Sequence, residues 1–231
     1  MQARFTKYQI ATAIAILFHA VGLIGLLFLD KTLFLQLTPG NLLLMLILLI
    51  WTQTEKNKWF LLFLITSIVG GLIIEIIGVQ TGTLFGHYSY GTVMGYKIVD
   101  TPLILGVNWF TIVYCCGMSF YLLTGKVTGR ASLGTIGDKE PGYLSTLVVA
   151  GGAFLAVFYD WLMEPVAVTL NYWQWEGDGV IPVYNYVCWF LASGLLLWLF
   201  RVSKFEKRNK FAVNLLLIQL LFFLLLRIFL D

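Results

Sequence analysis

Apolar runs close to the length of one membrane crossing recur along the chain, and they limit its fold more than any other feature. A hydrocarbon core about 30 Å thick takes ~20 residues of helix to cross, and only a helix or a closed barrel satisfies its own backbone there. Hydrophobic residues make up 59% of the 231 and charged residues only 12%, with a mean hydropathy of +0.86. A soluble domain carries about 25% charged residues, so lipid is the solvent for most of this chain. The pattern predicts an all-α, polytopic membrane protein with about seven transmembrane helices in one bundle. They fall at 8–29, 33–52, 59–79, 102–124, 143–164, 181–201 and 211–230. Pro39-Gly40 interrupts the second. Asp100-Thr101-Pro102 offers the fourth a capping side chain and a proline at its first position. Pro165 is expected to end the fifth. Residues 1–231 read as a single integral-membrane domain. The first run is too long for a cleavable signal and lacks a small-residue cleavage site, so it is expected to remain as a helix.

Cys115, Cys116 and Cys188 all fall inside apolar runs. Adjacent cysteines cannot sensibly pair, and an odd count gives no disulfide framework, so all three read as small buried hydrophobes. The net charge of +3 matters less than where the positive residues lie. With a cytoplasmic N-terminus, the inner set is Arg4, Lys7, Lys56, Lys58, Lys126, Arg130, Lys139, Arg201, Lys204, Lys207, Arg208 and Lys210. Lys31, Lys97 and Arg227 remain outside, so twelve of the fifteen lie inside. That bias supports both seven crossings and this orientation.

Two outer connections stand out. Residues 80–101, "QTGTLFGHYSYGTVMGYKIVDT", alternate enough to suggest a short hairpin. Residues 165–180, "PVAVTLNYWQWEGDGV", carry Tyr172, Trp173 and Trp175. Such rings fit an aromatic belt at the lipid headgroups as well as a lid over a site. Residues 125–142 read as a polar linker.

Three carboxylates sit within the apolar helices: Glu75, Asp160 and Glu164. A charge in hydrocarbon costs at least ~2.5–3.5 kcal/mol, so such residues face the bundle interior and mark function. All three fall at one depth, near the outer ends of the third and fifth helices. Asp160 and Glu164, four residues apart, share a helix face. Ala156, Ala153 and Gly152 continue that face, and Ser67 and Gly71 precede Glu75; small residues let helices approach closely. Asn108, Thr111 and Cys115 give the fourth helix a weakly polar face at similar depth. The alternative is that Asp160 and Glu164 merely end a helix at the interface.

Other chemistries fit poorly. His19 and His87, the two histidines, belong to no ligand-spaced set, so a metal site is not expected; His19 should bond within the bundle. Neither a nucleotide-binding glycine pattern nor a nucleophile elbow is present. A retinal protein needs an intramembrane lysine, and the last helix offers only Arg227, with Lys210 at its mouth. Acid–base chemistry in an aromatic cavity remains. A carboxyl held away from water can serve as a general acid, and Trp109, Tyr159, Trp161 and Trp173 offer ring faces to a developing cation. This suits addition to an isoprenoid double bond. Asp160 or Glu75 is the candidate proton donor and Glu164 the candidate activator of water. Asn108, His87 and Tyr88 are candidates for holding the water or closing the lid.

The stretches "EIIGVQTGTLFGHYSYG" (75–91), "LGVNWFTIVYCCG" (105–117), "DWLMEPVAVTLNYWQW" (160–175) and "IPVYNYVCWF" (181–190) resemble the carotenoid biosynthesis membrane proteins, a family that includes carotenoid 1,2-hydratases and bisanhydrobacterioruberin hydratase. The resemblance covers most of residues 60–200; helices one, two and seven match in hydropathy alone. It implies a hydro-lyase that adds water, without a cofactor, to the terminal C1=C2 bond of an acyclic (ψ) carotenoid end, giving a tertiary alcohol. The implied partners are water, the lipid bilayer and an acyclic-ended carotenoid: γ-carotene, lycopene or a C50 bisanhydrobacterioruberin-like molecule. The basic charge balance favours the first two, and nucleic acid is not an expected partner. Two rival functions share these features: a lycopene-type end-group cyclase and a non-catalytic carotenoid- or lipid-binding membrane protein.

The charge bias sets a test of topology in the inner or plasma membrane. Reporters fused after Asp178 and Asp231 should signal external exposure, and cytoplasmic signals from both would contradict the orientation.

Overall fold

A helix spanning lipid supplies its own backbone hydrogen bonds, and the remaining demand falls on its ends. The computed structural model describes residues 5–129, 142–177 and 179–230, and side chains meet that demand repeatedly. Thr6 and Gln9 form a capping box at the start of α1 (Lys7–Phe28). Asp30 caps α2 (Lys31–Gln36), Asn57 caps α4 (Lys58–Thr81) and Asn209 caps α8 (Lys210–Phe229). With α3 (Thr38–Thr52), α5 (Ile104–Val127), α6 (Gly142–Thr169) and α7 (Val183–Val202), the described residues form eight helices. Six of them, all but α2 and α3, are long and apolar enough to cross a membrane. The protein is an all-α, polytopic membrane protein.

The helix expected at 33–52 is divided at Leu37. Pro39 has no N–H to offer the preceding turn and its ring would clash there, so it stands in the first turn of a new helix instead. The two pieces still cross the bundle once. Tyr8, at the start of α1, meets Thr54, just past α3, through hydroxyls 3.1 Å apart. Gln53 and Asn57 donate to the carbonyls of Glu206 and Lys204, between α7 and α8, at 2.8 and 2.7 Å. The starts of α1, α4 and α8 and the ends of α3 and α7 therefore gather at one end. Lys7, Lys56, Lys58, Lys204, Lys207, Arg208 and Lys210 lie at that same end. Arg4, Arg130, Lys139, most of the 125–142 linker and the reporter positions Asp178 and Asp231 fall outside the described residues.

α5 runs through the middle, packed against α3, α4, α6, α7 and α8, and is far more buried than any other long helix. Gly106 rests directly on the Ile68 carbonyl of α4, where a Cβ would collide with the backbone. Phe60, Phe63, Phe110, Tyr114, Phe200 and Phe205 fill the inner half with edge-on and tilted ring contacts. The three cysteines are buried free thiols.

Among the boundaries that differ from those the sequence suggests, two have a clear physical cause. The fourth long helix starts at Ile104 rather than 102, because Thr101–Pro102 forms strand β3, paired with β2 (Lys97–Ile98). Val99 and Asp100 turn this hairpin with φ of 49° and 59°, the twist a two-residue hairpin favours. Leu103 then donates to the Tyr96 carbonyl at 2.9 Å, so Asp100 caps nothing. α6 does not stop before Pro165 but continues to Thr169. Proline cannot donate to the Trp161 carbonyl one turn back. Arg227 of α8 does so in its place, with Nη1 at 3.3 Å, and its guanidinium lies 4.4 Å from the centre of the Trp161 ring.

This substitution of donors sets a test by double-mutant cycle in detergent. Arg227→Leu should destabilise the protein by about 1–3 kcal/mol, since the Trp161 carbonyl loses its donor. In a Pro165→Ala background the helix supplies its own N–H, and the same change should cost at least ~0.5 kcal/mol less. Equal costs in both backgrounds would show that Arg227 acts through ring stacking alone.

Candidate active site

The two outer connections meet. β1 (Tyr88–Tyr90) pairs antiparallel with β4 (Trp173–Trp175), with Tyr88 opposite Trp175 and Tyr90 opposite Trp173. Side chains alternate across a strand, so Ser89 and Gln174 face outward and are exposed. Tyr88, Tyr90, Trp173 and Trp175 turn inward over the ends of α4 and α6. A four-ring aromatic ceiling with polar tips results, and those tips account for two of the three buried carboxyls.

Glu75, 5% exposed, accepts from Tyr88 and Tyr90 through Oε2, both at 2.7 Å, and from the Trp109 indole through Oε1 at 2.8 Å. Burial, reinforced by Glu75, holds both phenols well above the ordinary tyrosine range, so they remain donors. Gly71, one turn before Glu75, lies against the Trp109 side chain, and a Cβ there would push the ring away. Trp109 in turn stacks on Trp189 at 4.4 Å and 17°.

Glu164, 2% exposed, accepts from the indoles of Trp173 and Trp175 through one oxygen, both at 2.6 Å. Asp160, fully buried, accepts from Asn185 Nδ2 through Oδ2 at 2.8 Å. Its Oδ1 is buried without a hydrogen bond of ordinary geometry among the described residues. The Asp160 and Glu164 carboxyls are nonetheless direct electrostatic neighbours, one helical turn apart.

The three carboxyls, one from α4 and two from α6, border one small chamber of about 30 Å³. A water molecule requires roughly 10–15 Å³ of such space and two to four polar partners, and this chamber provides both. Asn108, Met163 and Trp173 line it and also line a second cavity of about 400 Å³. That larger cavity is walled mostly by apolar side chains of α1, α3, α6 and α8. Phe18, Val21, Leu37 and Gly40 on its rim are exposed on the lipid-facing side of the bundle. The arrangement can take a long apolar chain from the bilayer and bring its tip to a water-sized acidic chamber.

Most of the residues singled out from sequence converge here. Glu75, Asp160, Glu164, Asn108, Tyr88, Trp109 and Trp173 border the chamber, and Tyr159 lines the larger cavity. Two do not. His87 is exposed, its ring beside Gly82 just past the end of α4. Trp161 is 46% exposed on the outside of α6 under Arg227, because it lies one residue past Asp160, about 100° around the helix. Tyr90, Trp189 and Asn185 join the site unforeseen, and Trp175, expected in a belt or a lid, lies at the chamber. Tyr90 and Trp175 carried a signal, since "YSY" and "WQW" place aromatics at the strand period. Asn185 carried another, as a lone amide in an apolar helix.

A family model described as carotenoid biosynthesis protein matches residues 34–231. The bisanhydrobacterioruberin hydratase of Haloarcula japonica is 30% identical over 130 residues, covering 55% of this chain and 40% of that protein. The match thus spans less than half of the relative's length. Among solved structures none matches.

Proposed function

The chain belongs to the carotenoid biosynthesis protein family, and from that premise we propose that it is a carotenoid 1,2-hydratase acting by acid–base catalysis. The observation that carries this reading is the placement of three carboxyls around a water-sized chamber at the end of an apolar cavity. The hydratase named among its relatives agrees with it. The acyclic (ψ) end of a lycopene- or γ-carotene-like molecule lies in the larger cavity, with its terminal C1=C2 bond beside Asn108 and Met163. The N-terminal end of the bundle faces the cytoplasm, which puts the chamber near the external surface of the inner or plasma membrane.

Asp160 is the proton donor. Asn185 holds Oδ2, and Oδ1 has no hydrogen bond of ordinary geometry among the described residues, so we place the proton for C2 there, beside its neighbour Glu164. Protonation there leaves the positive charge on C1, a tertiary centre flanked by two methyl groups and the chain. The faces of Trp109 and Trp173 and the Glu164 carboxylate stabilise that charge. Water in the chamber adds to C1 and loses a proton to Glu164, whose oxygen two indoles orient. That proton returns to Asp160 one turn away, which resets the site. The C2–H and C1–O bonds form, the C1=C2 π bond is lost and nothing is oxidised or reduced. Glu75 fixes Tyr88, Tyr90 and Trp109 at the ceiling of the chamber and adds negative potential beneath the cation.

Expression in a host that accumulates lycopene tests this reading. New pigments should exceed lycopene by the mass of one and then two waters. Asp160→Asn should lower their yield at least ~10²-fold, with the protein still inserted in the membrane. Products of unchanged mass would identify a cyclase, and unaltered lycopene would leave only a binding protein.

A further inference from the structure

The larger cavity is not uniformly apolar. His19 of α1 and Gln219 of α8 line it at 6% and 3% exposure, and Asn41 of α3 joins them. Gln219 Oε1 and Asn41 Oδ1 are buried oxygens without a hydrogen-bond partner among the described residues. His19 Nδ1 lies 2.8 Å from the Ala15 carbonyl. A carbonyl only accepts, so in the neutral ring Nδ1 carries the hydrogen and Nε2 is left as an acceptor. Three hydrogen-bonding side chains from three helices thus border one greasy space, and buried polar groups are rarely left unpaired.

Their level in the bundle is fixed by neighbouring contacts. α1 and α8 run side by side in the same direction, with Asn214 donating to Thr12 at 2.9 Å and the His19 and Phe222 rings edge-on at 5.4 Å. His19 is therefore level with Phe222, less than one turn beyond Gln219. One turn beyond Gln219 on α8, Phe223 meets the ring of Tyr159, the neighbour of Asp160, at 5.6 Å. Gln219 lies about one turn, ~5–6 Å, below the level of Tyr159, and His19 lies between the two, beside the exposed rim formed by Phe18 and Val21.

We propose that His19, Asn41 and Gln219 form a second subsite, one that binds an alcohol: the hydroxyl of the hydrated carotenoid end as it leaves the chamber. This rests on the hydratase reading for the identity of the chain that fills the cavity. The chemistry of the trio selects an alcohol. An O–H donates to the unpaired oxygens and accepts from the amide N–H groups, whereas a hydrocarbon end does neither. A product hydroxyl withdrawn through an apolar cavity loses its hydrogen bonds. A polar foothold below Tyr159 restores them on the way to lipid.

Binding to purified Asp160→Asn protein, which holds ligand without turning it over, tests the subsite. The readout is quenching of tryptophan fluorescence by lycopene or by its 1-hydroxy derivative. The alcohol should bind about tenfold tighter, the worth of one good hydrogen bond. Adding Gln219→Met, close in volume but without the amide, should bring the ratio near one while lycopene still binds, which also reports an intact fold. Asn41→Leu should act in the same direction. In the active protein, Gln219→Met should relieve inhibition by the 1-hydroxy product. Equal affinities in the parent, or a preference that survives both substitutions, would overturn the subsite and leave the trio as a site for water. If neither ligand binds, the carotenoid reading itself fails and the subsite fails with it.

Discussion

Keeping carboxyls in hydrocarbon is the constraint on which the rest of this molecule depends. An isolated charge there is costly, and pairing it with a buried cation recovers the desolvation cost only with excellent geometry. Glu75 and Glu164 are instead met by neutral donors: two phenols and an indole for the first, two indoles for the second. Neutral donors must arrive from fixed directions, and that requirement shapes the outer end of the bundle. Two connections, with paired residues 83 to 87 positions apart in sequence, join as strands so that every second residue points a ring down at an acid. Gly71 is small so that Trp109 can reach Glu75.

The same economy of donors explains the continuation of α6. Its last turn, beyond Pro165, leads into β4, whose Trp173 and Trp175 reach back to Glu164, and the helix persists there with the Trp161 carbonyl satisfied from α8. Arg227, one of the few positive residues away from the basic end, thereby links the last helix to the segment that holds two of the acids. Asp160 is the exception among the carboxyls. With Asn185 as its one donor of ordinary geometry and Glu164 as its carboxyl neighbour, it is the acid held by the fewest neutral donors, which favours it as the group that moves a proton.

Much of this was legible in the sequence, for specific reasons. Helices in lipid announce themselves by length and hydropathy, and the crossings survive even where Pro39 divides one of them. The shared depth of Glu75, Asp160 and Glu164 followed from counting residues to the helix ends, and the chamber they border lies there. What counting could not supply was pairing between distant segments. Nothing local to Tyr88, or to Trp173 and Trp175, shows that the two segments share a ceiling, and Tyr90 gains its role only from that pairing. Trp161 was misplaced because nearness in sequence to Asp160 is not nearness on a helix. The end expected at Pro165 overlooked a donor 62 residues further along, since the sequence around proline cannot show what another helix will offer its carbonyl.

The central claim is that a carboxylic acid protonates the terminal double bond and that water captures the resulting cation. Turnover in deuterated water enriched in heavy oxygen tests it most directly. Acid-initiated hydration leaves one non-exchangeable deuterium on C2 and a heavy oxygen in the tertiary hydroxyl on C1, with or without molecular oxygen present. A hydroxyl oxygen drawn from molecular oxygen, or a C2 without deuterium, would contradict it.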